Sequence, residues 1–209
     1  IDGLDGLAVG VSSIAAITML AVALLTDNMA IAITMAALTG ACIGFMPYNL
    51  NPAKIFMGDT GSTFLGYMLA TVSIMGLFKF YAVISFAVPF LILGLPIFDT
   101  ANAIIRRLAE GRSPMSPDRG HVHHKLIDMG FNQKQAVAIL YAISATLGLT
   151  AVVLTSSGEV KAVVLLAAVL AAILVGACII YGAEHWGKHP QEQKKHKNEA
   201  AQEEKNKHE

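Results

Sequence analysis

"LAVGVSSIAAITMLAVALL", residues 7–25, runs for nineteen residues without a charged side chain. A helix of that length crosses the hydrocarbon core of a bilayer. The reading extends outward in both directions along the chain. Hydrophobic residues make up 55% of the 209 and charged residues 14%, outside the usual composition of a soluble domain. Six apolar blocks stand out: Leu7–Leu25, Met29–Met46, Thr63–Leu77, Phe80–Ile105, Ala136–Thr155 and Val160–Gly182. The expected fold is all-α, a polytopic transmembrane helix bundle with about six spans, since helices satisfy their own backbone groups in lipid. The fourth block carries Pro89 and Pro96, which predicts a kinked or broken helix. Gly40 and Gly44, four apart in the second block, predict a close helix–helix approach. Residues 1–182 read as the membrane core, and the Lys/Glu-rich segment 183–209 as a charged, disordered tail.

Charge distribution gives the sidedness. If every block spans, residues 1–6, 47–62, 106–135 and the tail share one side. Of fifteen Lys and Arg residues, only Lys79 and Lys161 fall on the other side. The positive-inside rule then puts the long loops and the tail in the cytoplasm of a multi-pass plasma-membrane protein. Formal net charge is zero, and no nucleic-acid partner is expected. Cys42 and Cys178 lie inside apolar blocks and read as packing residues.

Three polar motifs land on the cytoplasmic side. In "DGLDG", residues 2–6, Asp2 and Asp5 are spaced i, i+3. They suit either a helix start or hard-oxygen ligation of magnesium. In "FMGDTGS", residues 56–62, Asp59 stands between two glycines, beside hydroxyls. It reads as an N-cap or as a metal ligand, and the company of Asp2 and Asp5 favours the metal. Backbone N–H groups at a helix start attract phosphate, and a carboxylate beside them calls for a bridging cation. The loop "RRLAEGRSPMSPDRGHVHHKLIDMG", residues 106–130, carries arginines, Lys125 and the histidines 121, 123 and 124. No well-spaced fourth ligand supports zinc, so the cluster suits phosphate oxygens. Asp99 is the exception among nearly charge-free spans. It is expected either to pair with Arg106, about two turns on, or to act in the chemistry.

Four stretches carry a resemblance: "DGLDGLA" from residue 2, "PYNLNPAKIFMGDTGSTFLGY" from 47, "LPIFDTANAIIRR" from 95 and "SPDRGHVHHKL" from 116. Together, in order and at suitable spacing over residues 1–130, they resemble the polyprenyl-phosphate N-acetylhexosamine-1-phosphate transferase family. Such enzymes move a sugar 1-phosphate from a UDP-sugar to a lipid phosphate and release UMP. The resemblance implies that Asp59 binds Mg²⁺ (or Mn²⁺), with Asp5 as a second metal ligand. Asp2, Asp5 and Asp59 become catalytic-site acids, and His121, His123 and His124 the catalytic histidine motif. Asn49, Phe56, Arg112 and Arg119 become substrate-binding, with Asn49 and Phe56 at the uracil and nucleoside. The implied partners are a UDP-N-acetylhexosamine, undecaprenyl phosphate and the lipid bilayer, and a homodimer is left open.

"GHVHHKL" looks more like the N-acetylglucosamine branch than the branch that uses UDP-MurNAc-pentapeptide, which more often has three consecutive histidines. A multi-span transporter or scaffold is the alternative of another class. It would place ionisable groups at mid-span or use the motifs only as caps. The family also has an aspartate-rich motif upstream of the point where this sequence opens. The chain therefore reads as a fragment, expected to be inactive alone.

Overall fold

The computed structural model describes residues 1–76, 82–116 and 120–156, all within the unit Ile1–Ala162. The sixth block, the tail with its boundary at residue 182, and Arg119 lie outside the described residues. Among the described residues seven helices follow in order: α1 Leu7–Leu25, α2 Met29–Asn49, α3 Gly58–Gly76, α4 Ala82–Ile92, α5 Gly94–Ala109, α6 Val122–Asp128 and α7 Gln133–Ser156. There is no strand among the described residues. Helices α1, α2 and α7 are long and apolar enough to cross a membrane. The third block forms the 19-residue α3, and the fourth is divided between α4 and α5.

Helix α1 is the centre. It packs against α2, α3, α4 and α7. Thirteen of its residues are buried, from Leu7 to Ala23, and they cover nearly every face. A helix apolar all round belongs inside a bundle. Small side chains let its neighbours come close. At Gly10 a Cβ would lie 2.0 Å from the Tyr141 ring of α7, and at Gly148 a Cβ would lie 2.4 Å from Thr18 Oγ1. By contrast, among the described residues nothing lies within 4 Å of a Cβ built at Gly40 or Gly44. The close approach expected there is made by Gly10 and Gly148 instead.

The break in the fourth block falls at Leu93. Its N–H donates to Pro89 O at 2.9 Å, ending α4, and its carbonyl accepts from Ile97 N at 3.0 Å, starting α5. Pro96 sits in the first turn of α5, where a missing N–H costs no helical hydrogen bond. Along α5, Leu95, Asp99 and Ala103 are buried at intervals of four, a single stripe. Arg106 and Arg107 occupy its last turn, favourably placed for the helix dipole.

At its start, α7 is closed by a capping box. Asn132 Oδ1 accepts from Gln135 N at 2.9 Å, and Gln135 Oε1 accepts from Asn132 N at 3.0 Å. Beneath the polar end of the bundle, Leu7, Val11, Leu95, Val137 and Leu140 form a core cluster. Leu4, Val122, Leu126 and Tyr141 close over it. This cluster ties α1, α5, α6 and α7 together where the polar motifs meet.

Candidate functional site

The loop before α1 turns through Gly6 in the left-handed region, φ 81°. Two long-range contacts hold that turn. Tyr141 Oη donates to Gly6 O. Asp5 Oδ2 accepts from Asn51 Nδ2 and from Ala53 N, both at 3.1 Å. Asn51 Nδ2 also donates to Gln133 Oε1 at 2.8 Å. One amide thus joins "DGLDG", the loop after α2 and the start of α7.

A polar cavity of about 160 Å³ opens there, lined by Asp2, Gly3, Leu4, Asp5, Asn49, Phe56 and Met57. Asn49 is buried, and its Nδ2 donates to Ile55 O at 3.0 Å. Its Oδ1 is buried without a partner among the described residues, an acceptor on the wall of a cavity. Phe56 is 75% exposed, which leaves its ring free to lie against a planar group.

Asp2 borders a second, larger cavity of about 530 Å³. Its walls come from α1 (Ala8, Val11, Ala15), α3 (Gly66, Leu69) and the α4–α5 break (Leu93, Pro96, Ile97), and they are mostly apolar. One carboxylate therefore stands between a polar cavity and an apolar groove. Its pKa is raised, chiefly because neighbouring protein displaces its water. The nearby Asp59 carboxylate adds to the rise.

Asp59 lies in the first turn of α3, after Gly58, and is exposed. Its carboxylate accepts no hydrogen bond among the described residues, whereas Ser62 Oγ donates to its backbone carbonyl at 3.3 Å. A capping carboxylate would accept a backbone N–H of that turn. Asp59 therefore does not cap its helix. No group of three His, Cys, Asp or Glu side chains that could hold a metal is found among the described residues. Magnesium does not need one, because it keeps waters and binds through one or two carboxylates plus substrate phosphates.

The histidines close the other side. The rings of His121 and His123 are stacked, centroids 5.7 Å apart and 9° from parallel, and His124 tilts against His123 at 4.3 Å. His123 is buried, and its Nε2 is without a partner among the described residues. Burial lowers its pKa to about 4, helped by His124 and His121 and opposed by Asp99. It is a neutral imidazole near pH 7. Gly3 lies on this ring, where an added Cβ would sit 2.3 Å from His123 Nε2. The first motif and the third are in direct contact.

Asp2, Asp5, Asn49 and Phe56 share one cavity, and Asp59 and the three histidines adjoin through Asp2 and Gly3. Arg112 does not join them. It is exposed and donates to Glu110 through Nε at 2.7 Å, because both sit in the short turn after α5. Asp99 turns to His121 Nδ1 and Val122 N, each at 2.9 Å. Arg106 donates to Gly120 O at 2.8 Å. The expected Asp99–Arg106 pair is thus replaced by two contacts to the histidine loop. Asn51 and Tyr141 were not singled out by sequence reasoning. Asn51 lay inside a quoted motif without a role, and Tyr141 carried no signal in an apolar block.

An all-helical bundle with membrane-spanning helices, and with acids, an amide and imidazoles gathered at one end, defines an integral-membrane protein with a site at the edge of its spans. The sequence profile of glycosyl transferase family 4 matches residues 1–77. A probable undecaprenyl-phosphate N-acetylglucosaminyl 1-phosphate transferase of Bacillus subtilis (strain 168) is 43% identical over 157 residues, 75% of this chain and 44% of that protein. A decaprenyl-phosphate N-acetylglucosaminephosphotransferase of Mycobacterium tuberculosis (strain ATCC 25618 / H37Rv) is 40% identical over 163 residues, 68% and 40% of the two chains. An undecaprenyl-phosphate alpha-N-acetylglucosaminyl 1-phosphate transferase of Escherichia coli (strain K12) is 31% identical over 184 residues, 86% and 50%. Over its first 77 residues the chain is similar to glycosyl transferase family 4. It spans half or less of the length of these relatives.

Proposed function

We propose that the protein transfers N-acetylglucosamine 1-phosphate from UDP-N-acetylglucosamine to undecaprenyl phosphate, releasing UMP. An oxygen of the lipid phosphate attacks the phosphorus that bears the sugar. The bond from that phosphorus to the UMP oxygen breaks, and UMP leaves with its electron pair. The observation that carries this reading is the position of Asp2, on the wall of both a polar cavity and a larger, mostly apolar one. A nucleotide and a hydrocarbon chain need such a junction, because one substrate is water-soluble and the other is not. The names of the relatives support the same substrates.

Each residue has a part. Asn49 Oδ1 takes an N–H of the base, and Phe56 lies against its ring. The apolar groove takes the first isoprenoid units of the acceptor. The Asp59 carboxylate, unbonded and close enough to Asp2 for their charges to repel, fits a divalent cation. Asp59 and Asp2 would hold Mg²⁺, or Mn²⁺ in its place, and Asp5, occupied through one oxygen, holds the loop. When bound, that ion neutralises charge where a diphosphate and a phosphate meet. His121 and His124 reach the phosphate oxygens, while neutral His123 packs beneath them. The site faces the cytoplasm, as the Lys and Arg distribution supports, and the enzyme is a plasma-membrane protein.

Asp59→Asn in the full-length protein tests this. Mg²⁺-dependent UMP release in membrane fractions is expected to drop by ~10²-fold or more, with normal membrane insertion. Unchanged turnover would remove Asp59 from the site.

A further inference from the structure

Asp99 is 4% exposed, at the middle of the buried stripe of α5. A carboxylate that deep is tolerated only if its oxygens are hydrogen-bonded. Both are. Oδ2 accepts from His121 Nδ1 at 2.9 Å, and Oδ1 accepts from Val122 N at 2.9 Å. The two donors belong to consecutive residues, one a ring and one a backbone amide. His121 is the N-cap of α6 and makes no side-chain cap of its own. Asp99 supplies the missing cap from another helix.

We propose that Asp99 is a positioning residue that acts through His121, on the reading that His121 serves the phosphate site. A carboxylate accepting at Nδ1 requires that nitrogen to carry hydrogen. The other ring nitrogen, Nε2, is then the one presented to a ligand. The bond to Val122 N fixes the turn from which the ring projects. The stacked face of His123 limits its rotation. The His121 side chain is 30% exposed, so its outer edge remains accessible while its inner edge is held. The grip is anchored in turn. Leu95, one turn before Asp99, packs with Leu7 and Val11 of α1, and Val122 closes over the same cluster. The α4–α5 break sets the course of α5 and hence the height at which Asp99 meets the histidine loop.

Asn at position 99 keeps the shape but offers one acceptor oxygen to two donors. Its amide N–H₂ must face either Val122 N or His121 Nδ1. The second arrangement forces the imidazole into the Nε2–H form. In the full-length protein, Asp99→Asn is expected to lower kcat ~10–100-fold while KM for UDP-N-acetylglucosamine stays within ~2-fold. The double variant D99N/H121A should be no slower than H121A, since the two residues act as a unit. Ring ¹⁵N spectra of histidine-labelled protein, with His121 assigned by its loss in H121Q, read the cause directly. Wild type should carry hydrogen at His121 Nδ1. A wild-type ring unprotonated at Nδ1 overturns the proposal whatever the activity of the variants. So does a D99N enzyme at full rate, or a double variant slower than H121A by the full D99N factor. Full activity of H121A would instead overturn the reading of the site on which the proposal rests.

Discussion

Gly3→Ala adds one methyl group where two motifs touch. The new Cβ would lie 2.3 Å from His123 Nε2 and 2.8 Å from Cε1, whereas ordinary contact begins at 3.4 Å. The gap must open by about 1.1 Å, the difference between 3.4 and 2.3 Å. The backbone at Gly3 lies outside the left-handed region, so alanine meets no conformational penalty there and the cost is steric. The His123 ring cannot move aside easily, being 5% exposed with His121 and His124 against it. Overpacking of this kind costs about 1–3 kcal/mol. Displacing Asp2 by an ångström from the reacting groups is expected to lower turnover by up to ~10²-fold. Thermal unfolding in detergent reads the first quantity, and UMP release from the full-length enzyme reads the second. Removing the ring isolates the cause, since Gly3→Ala introduced on a His123→Ala background should cost little further stability. G3A with wild-type unfolding and turnover would refute the contact. An equal stability loss on both backgrounds would refute the steric explanation.

Two further outcomes follow from the same end of the bundle. His123, with its pKa lowered to about 4, stays neutral in the folded protein while an unfolded imidazole takes up a proton below its ordinary 6.5. Its contribution is therefore complete above pH 6.5 and is lost as pH falls toward 4, by roughly 3 kcal/mol in all; denaturation midpoints measured across that range should be steeper with pH in wild type than in His123→Leu. Asn51→Asp replaces a donor by an acceptor opposite Asp5 Oδ2 and Gln133 Oε1, and should destabilise more than Asn51→Ala, which costs about 1–3 kcal/mol; equal melting of the two variants would remove Asn51 from that bridge.

The spans were legible because apolar content is a local property. Leu7–Leu25 is α1 to the residue, and the prolines of the fourth block do divide it, at Leu93. Boundaries slipped where polar residues continue a helix. Gly58–Ser62 fell in the expected 47–62 loop yet opens α3, and Gln133–Gln135 preceded the expected start of α7 but is held helical by its capping box. The acids, Asn49, Phe56 and the histidines stand out in the sequence as residue types in short motifs. Their partners do not, because Asp5–Asn51, Asn51–Gln133 and Asp99–His121 join positions 46, 82 and 22 residues apart. Neither periodicity nor spacing encodes such distances. Arg112 shows the converse: a cation in a basic loop reads toward substrate, and in the structure a glutamate two residues away accepts from it. Gly40 and Gly44 have the right interval for a close approach but sit on the outer face of α2.

The crowded middle of α1 has a consequence for how this membrane protein is encoded. Ser12, Ser13, Ala15, Ala16 and Thr18 are all buried, and Ser13 and Thr18 return their hydroxyls to their own helix, on Val9 O and Ile14 O. A polyleucine replacement would insert into a bilayer more readily than the native segment, yet it would fill the space that Tyr141 and Gly148 now occupy. Partitioning into lipid and docking between neighbours are thus written in different letters of the same nineteen residues. Selection for the second has been bought with hydrophobicity the first could have used.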